Sequence, residues 1–315
     1  MRDLRIVFMG TPDFAVGVLK SLVDAGEQIV GVITTPDKPA GRGRMLRESA
    51  VKAYATKQGL RVLQPINLKD EAFLDELKTL GANLQIVVAF RMLPKVVWAL
   101  PDFGTFNLHA SLLPDYRGAA PINWAVINGE VKTGVTTFFI DEKIDTGAII
   151  ANREVAIETK ETAGSLHDKL MEAGSGLVLE TVKLIREDRA IPKPQPMDGD
   201  WNPAPKLHSE NTQIDWTWNG NRLEAFVRGL SPYPSAWTVL INNAEETKVK
   251  IYSANFEKVK HDDTPGKITA TKKSLQVSVL DGYLYIKVMQ LPGKRKMEVS
   301  DLLNGYIFEA DAKFV

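Results

Sequence analysis

The sequence predicts an α/β chain in two parts, a mostly parallel sheet covered by helices and then a small antiparallel β-barrel. Three observations predict it. Short apolar β-rich runs alternate with helical periods through the first half, a proline-dense stretch follows Asp188, and short β runs with Gly and Asn turns dominate what remains. Length agrees, because 315 residues exceed one typical domain and fall short of three.

Leu4 to Met9 is apolar and β-rich, Gly10-Thr11-Pro12-Asp13 turns, and Phe14 to Ala25 carries apolar residues at helical spacing. Further apolar runs at Gln28 to Thr34, Leu60 to Leu63, Leu84 to Ala89 and Thr105 to His109 alternate with helical patterns at Ser49 to Gln58, Glu71 to Leu80 and Pro94 to Ala99. Alternation of this kind gives parallel strands with crossover helices on both faces of the sheet. Strands at Thr133 to Ile140 and Ala148 to Ala156 flank a polar turn, and a helix entering at Thr162 runs to about Arg186. An amino-terminal domain is therefore expected over residues 1–189. Pro192, Pro194, Pro196, Gly199, Pro203 and Pro205 then predict a linker over 190–207 that lacks regular hydrogen-bonded structure. Residues 208–315 are expected to hold a helix near Gly220 to Arg228. Five strands follow, at Ala236 to Ile241, Lys248 to Ala254, Gly266 to Ala270, Leu275 to Val279 and Tyr283 to Leu291, a barrel of oligonucleotide-binding (OB-fold) type.

Composition excludes several classes. Apolar residues at 44% and charged ones at 25% are the balance of a globular chain, not of a disordered or collagen-like one. The absence of cysteine excludes disulfides, thiolate metal sites and cysteine nucleophiles, and suits the reducing cytoplasm, the expected location. The four histidines stand singly at His109, His167, His208 and His261, so no metal is expected. The run Ile6 to Met9 is too short for a signal-peptide core, and nothing approaches the roughly 20 apolar residues of a membrane span. Basic and acidic residues are equal at 39 each, so a nucleic-acid partner can rest only on local clusters.

The densest chemistry lies at Asn107-Leu108-His109-Ala110-Ser111-Leu112-Leu113-Pro114-Asp115-Tyr116-Arg117-Gly118, where a strand enters a loop. Side chains two apart share a strand face, so Asn107 and His109 project together while Leu108 points into packing. Active sites of open parallel sheets lie beyond the carboxyl ends of the strands, where this pair falls. An amide donor beside an imidazole suits stabilisation of a developing oxyanion.

A second cluster, Asp141 to Gly147, occupies the turn between the two late strands. Asp141 and Glu142 read as solvated. Asp145 is flanked by Ile144 and by Ala148 to Ile150, which draw it inward, and a carboxylate held there can orient an imidazole and relay protons. Asp145-Thr146-Gly147 also matches an aspartic protease signature, but such a site needs two carboxylates and the chain has no second copy. Gly10-Thr11-Pro12 lacks the glycine spacing of dinucleotide and P-loop motifs.

The loop from Thr35 to Arg47 is rich in Pro and Gly and dense in positive charge, so Arg42, Arg44 and Arg47 are candidates to grip phosphates. In the carboxyl part, Lys267, Lys272, Lys273, Lys294, Arg295 and Lys296 could form a local basic face.

These residues together resemble the folate-dependent formyltransferases over nearly the whole chain, and among them the branch that acts on methionyl-tRNA. The resemblance is carried by Val7 to Phe14, Gly41-Arg42-Gly43, Asn107 to Pro114, Tyr116 to Pro121 and Asp145-Thr146-Gly147. In the second part it continues through Ala204 to Leu207, Ile214-Asp215-Trp216, Arg228-Gly229 with Pro232, and Gln290 to Lys294. It implies a Rossmann-like catalytic domain followed by an OB-like tRNA-binding domain. The implied donor is 10-formyltetrahydrofolate, and the implied acceptor is the amino group of initiator methionyl-tRNA. Asn107, His109 and Asp145 take the family's catalytic positions. Ser111, Leu112, Leu113 and Pro114 take its folate loop, while Phe90, Arg91 and Met92 fall where the family, more often with Tyr-Gly, cradles the pterin. Arg42, Arg44, Arg47, Lys206, Lys294 and Lys296 are the expected tRNA contacts, and a monomer is expected. The same catalytic set would serve a formyltransferase for a small amine, such as a nucleotide sugar or glycinamide ribonucleotide. A nucleic-acid-binding protein with an inactive α/β domain is a further alternative, which the intact Asn, His and Asp set disfavours.

Overall fold

The structure, a computed structural model, describes residues 1–40, 45–196 and 198–315. Contacts divide the chain into two units, one of residues 1–118, 133–156 and 167–203, the other of 119–132, 157–166 and 204–315. Two short segments from earlier in the chain thus group with the carboxyl-terminal part.

The first unit is built as the alternation predicts. β1 (Ile6–Gly10) is buried along its length and turns into α1 (Asp13–Asp24), followed by β2 (Ile29–Ile33). β3 (Lys38–Ala40) and β4 (Met45–Arg47) pair antiparallel, with Lys38 opposite Arg47, so the basic loop is framed by strand instead of being irregular throughout. α2 (Ala50–Lys57) starts at Ser49, whose hydroxyl accepts from Lys52 N at 3.0 Å. β5 (Val62–Leu63) comes next, then α3 (Glu71–Thr79), which is capped by Asp70 accepting from Phe73 N at 3.1 Å. These side-chain caps satisfy amides the helix itself leaves free. β6 (Leu84–Val88), α4 (Lys95–Trp98), β7 (Thr105–His109) and the two-residue β8 (Arg117–Gly118) follow. After α5 (Pro121–Ile127), which belongs to the second unit, come β9 (Lys132–Phe139), β10 (Ile149–Ala156) and α6 (Ala163–Arg186).

The sheet order is β10-β9-β7-β6-β1-β2-β5. Strands β5, β2, β1, β6 and β7 run parallel, and β9 pairs antiparallel with β7. Chain order reverses between β1 and β6, which opens a crevice at their carboxyl ends. One face buries Val7, Met9, Ile33 and Val87 against Phe73 and Leu77. On the other, Leu108 packs so closely on α6 that a Cβ at Gly174 would stand 2.8 Å from its Cδ2.

The proline-dense stretch departs from expectation. Lys193 exchanges two backbone hydrogen bonds with Ile149, each 2.8 Å, and Gln195 is buried. Pro192, Pro194 and Pro196 lack donors, but the residues between them keep theirs, and a sheet edge needs only those.

β11 (Pro203–Ala204) marks the crossing into the second unit. There α7 (Gly220–Leu230) is capped by Asn219, and β12 (Ala236–Asn242) pairs with β13 (Glu245–Lys258). β14 (Ile268–Ala270), β15 (Leu275–Val279), β16 (Gly282–Gln290), the short β17 (Met297–Glu298), α8 (Val299–Leu302) and β18 (Lys313–Phe314) complete it. The antiparallel order β14-β15-β16-β13-β12-β18 almost closes on itself, because Lys313 also bridges to Lys267. Two-residue β18 is therefore a sixth barrel strand, too short to leave a periodic signal. α5 packs on α7, where a Cβ at Gly229 would come 2.5 Å from Ile127 Cγ1 and Asn123 Nδ2 donates to Gly229 O at 2.7 Å. Its Pro121 sits in the first turn, a start signal that seven residues were too few to reinforce.

Candidate active site

Strand β7 delivers Asn107 and His109 at its carboxyl end, one strand from the β1/β6 reversal. Leu108 between them is committed to α6, so the alternation sends the amide and the imidazole to the opposite face. His109 is 7% exposed, and its Nε2 lies 2.8 Å from the carbonyl oxygen of Tyr116. A carbonyl only accepts, so Nε2 carries a proton and Nδ1 is the atom left to face Asp145. Nδ1 stands 4.0 Å from Asp145 Oδ2, the reach of an ion pair and beyond that of a hydrogen bond.

Asp145 comes from the turn between β9 and β10 and has a left-handed backbone, φ 56°. Its Oδ2 accepts from Gly118 N at 3.0 Å. The inward placement expected from apolar neighbours has a different cause, since Ile144 is 60% exposed. The carboxylate is held in by backbone and by polar clamps instead. Asp141 accepts from Thr146 Oγ1 at 2.9 Å, and Glu142 pairs with Lys95 at the surface, as turn carboxylates should.

The loop after β7 is fastened to β9. Thr136 Oγ1 donates to Ser111 O at 2.7 Å and accepts from Leu113 N at 3.2 Å. Ser111 is fully buried with its hydroxyl donated to Asp115 O at 2.6 Å, and Leu113 is buried as well. Leu112 lies over Gly134, where a Cβ would come 2.5 Å from its Cδ2. Ser111, Leu112 and Leu113 thus spend their side chains on shaping the loop, while Pro114 is half-buried at its tip.

Phe90, Arg91 and Met92 leave the end of β6, which pairs Val87 with Asn107 and Val88 with Leu108. Phe90 packs on the core, and Met92 is 71% exposed. Arg91 donates to Ile66 O at 2.8 Å and to Pro65 O, tying this segment to the loop after β5. Burial lowers the pKa of its guanidinium. Its side chain serves as a strut between two loops.

Asn107 Oδ1 is buried without a hydrogen-bond partner among the described residues. An unmet amide oxygen beside an imidazole, on the strand next to the one that leads into Phe90 and exposed Met92, fits a hydrogen-bonding ligand. A half-turn of the amide presents N–H donors to the same space.

Arg42 and Arg44 lie outside the described residues. Arg47, Lys206, Lys294 and Lys296 are exposed, and Lys296 Nζ stands 4.6 Å above the Tyr252 ring. Of the further candidates, Lys267 is neutralised by Asp263 at 2.6 Å. Sequence reasoning missed Tyr116 as the imidazole's partner, Arg117 and Gln195. Tyr116 and Arg117 stand inside the motif itself, whereas Gln195 had no signal beyond being polar among prolines.

His109 with the nearby Asp145, and the unpartnered Asn107 oxygen, gather around the carboxyl end of β7, where doubly wound sheets bind their ligands. The chain belongs to the formyl transferase family, whose model matches residues 4–182, with the formyl transferase carboxyl-terminal domain matching 206–307. It is 56% identical to the methionyl-tRNA formyltransferase of Flavobacterium johnsoniae over 99% of both chains. It is 53% identical to that of Parabacteroides distasonis over 96% of both. Two solved structures share the fold. HypX from Aquifex aeolicus in complex with tetrahydrofolic acid has a TM-score of 0.65 at 19% identity, covering 96% of this chain and 47% of that one. The N-formyltransferase from Helicobacter canadensis in complex with folinic acid and dTDP-3-aminofucose has a TM-score of 0.63 at 18% identity, covering 90% and 98%.

Proposed function

We infer that this chain transfers the formyl group of 10-formyltetrahydrofolate to the amino group of the methionyl moiety of initiator methionyl-tRNA, giving N-formylmethionyl-tRNA for translation initiation. The observation that carries this reading is end-to-end likeness, at over half identity, to relatives named for that activity, through both family segments.

The donor supplies a formyl carbon attached to a nitrogen that can leave once protonated. In our reading Asn107 presents its amide N–H to the formyl oxygen, and His109 presents a protonated Nδ1 edge to the same region. Asp145 holds that proton in place across 4.0 Å and accepts, through water, the proton that the attacking amine must lose. The same proton is passed on, through water, to the departing folate nitrogen as its bond to the formyl carbon breaks, so protons and charge balance. Phe90, Met92 and the Ser111 to Pro114 loop would flank the pterin, Ser111, Leu112 and Leu113 through the shape they give the loop more than through free polar groups. Arg42, Arg44, Arg47, Lys206, Lys294 and Lys296 would meet the tRNA backbone, with residues 208–315 as the tRNA-facing part. The enzyme would act as a monomer in the cytoplasm. Among the described residues no helix is long and apolar enough to cross a membrane.

The test is incubation with labelled 10-formyltetrahydrofolate and methionyl-initiator tRNA, methionyl-elongator tRNA or a small amine. Blocking of the initiator species is expected. Labelling only of a small amine would replace the acceptor, and no labelling would remove the activity.

A further inference from the structure

Asp145 sits on a strained, left-handed turn that its apolar neighbour does not hold, since Ile144 is exposed. Within the turn Asp141 accepts from Thr146 Oγ1 and Lys143 N, and what ties the turn to the rest of the chain is a pair of side chains from elsewhere. Gln195 is 6% exposed and forms four hydrogen bonds at once. Its Nε2 donates to Asp145 O at 3.0 Å and to Gly147 O at 2.8 Å. Its Oε1 accepts from Arg117 Nη2 at 2.6 Å and Nε at 3.2 Å. Arg117 Nε also donates to Asp145 O at 3.0 Å, and the next residue, Gly118, gives its N–H to the Asp145 carboxylate. Gln195 reaches this point because Lys193, two residues earlier, is bridged to Ile149 just past the same turn.

We infer that Gln195, together with Arg117, is a positioning residue for the formyl transfer, clamping the 145–147 turn so that the Asp145 carboxylate faces His109. The inference rests on the activity proposed above. A carboxamide is the side chain that can satisfy two carbonyls and a guanidinium together, because it offers two donors and an acceptor on one rigid plane. Removing it leaves Gly147 O without that donor and Asp145 O with Arg117 alone, which lets the carboxylate drift, and a displacement of about 1 Å can cost on the order of a hundredfold in turnover. The Gln195 bonds go to the 145–147 turn and to Arg117, so its effect on the reaction is expected through Asp145.

The experiment is a double-mutant cycle with Gln195→Leu, Gln195→Glu and Asp145→Ala in the full chain, measuring kcat and both KM values. Gln195→Leu is expected to lower kcat by roughly tenfold to a hundredfold, with each KM within about threefold of wild type. Gln195→Glu keeps the bonds to Arg117 and loses the amide donors, so it should fall with Leu; it also carries the test if the Leu variant does not fold. In the Asp145→Ala background either change should cost nothing further, because the group it positions is gone. Wild-type kcat in both Gln195 variants, or an undiminished loss in the Asp145→Ala background, would overturn the clamp. Failure of the wild-type chain to formylate any amine would instead overturn the underlying activity.

Discussion

The imidazole of His109 gives its Nε2 proton to the carbonyl of Tyr116 at 2.8 Å, and Tyr116 is itself held in a left-handed backbone, φ 59°. This contact settles which ring nitrogen turns toward Asp145. If that nitrogen and carboxylate act as one unit, as we propose, His109→Ala and Asp145→Ala should each lower turnover by about a hundredfold or more, on the order of 2.7 to 4 kcal/mol in the barrier. Steady-state kinetics with a filter-binding control check it, since tRNA affinity should hardly move. Near-wild-type turnover in either variant would remove that residue from the chemistry.

Gly147 offers a test of the turn by size alone. A Cβ there would stand 1.6 Å from the backbone oxygen of Phe139, an obstacle that cannot swing aside as a side chain would. Gly147→Ala should destabilise the first unit by about 3 kcal/mol or more and depress turnover. Thermal unfolding of the variant beside wild type measures the former; an unchanged midpoint would contradict the packing.

Asp37 gives a pH-dependent prediction. Lys52 and Gln64 donate to its carboxylate and hold its pKa below the ordinary value, the Lys52 hydrogen bond being the larger cause. A depressed carboxyl contributes stability that is complete above its unfolded pKa and is lost as pH falls through the folded one. The stability gap between wild type and Asp37→Asn should therefore be constant near neutrality and shrink below about pH 4. Denaturant titrations across that range check it, and a gap that widens in acid would reverse the sign.

Lys294 and Lys296 stand exposed on the turn after β16, and Arg47 ends β4. If each meets a phosphate, its replacement by alanine weakens tRNA binding at every sequence alike and reduces the slope of log affinity against log salt by about 1. Binding measured over a salt series decides this residue by residue. An unchanged slope would exclude that side chain from the interface.

The first unit was legible because its strands and helices repeat a strong period: the range Thr105 to His109 and the start of α2 after Ser49 fall where the pattern puts them. Asn107 and His109 were legible for the same reason, being two apart on a strand end. The inward placement of Asp145 was expected, but for a reason the structure does not support, since it is held by Gly118, Arg117 and Gln195, residues 27 to 50 positions away. Long-range hydrogen bonds leave no periodic trace. The same holds for Lys193 and Gln195, where the density of prolines masked an edge contact, and for β18, whose two residues carry no pattern.

That last strand has a consequence for biosynthesis. Phe314 stacks on Trp216 with ring centroids 5.2 Å apart and donates its N–H to Gly266 O at 2.9 Å, while its neighbour Lys313 bridges to Lys267. The ring is sealed by residues made long after the strands they join. Until they emerge from the ribosome, the nascent sheet carries an unpaired edge, the kind of exposed rim that invites association with other chains.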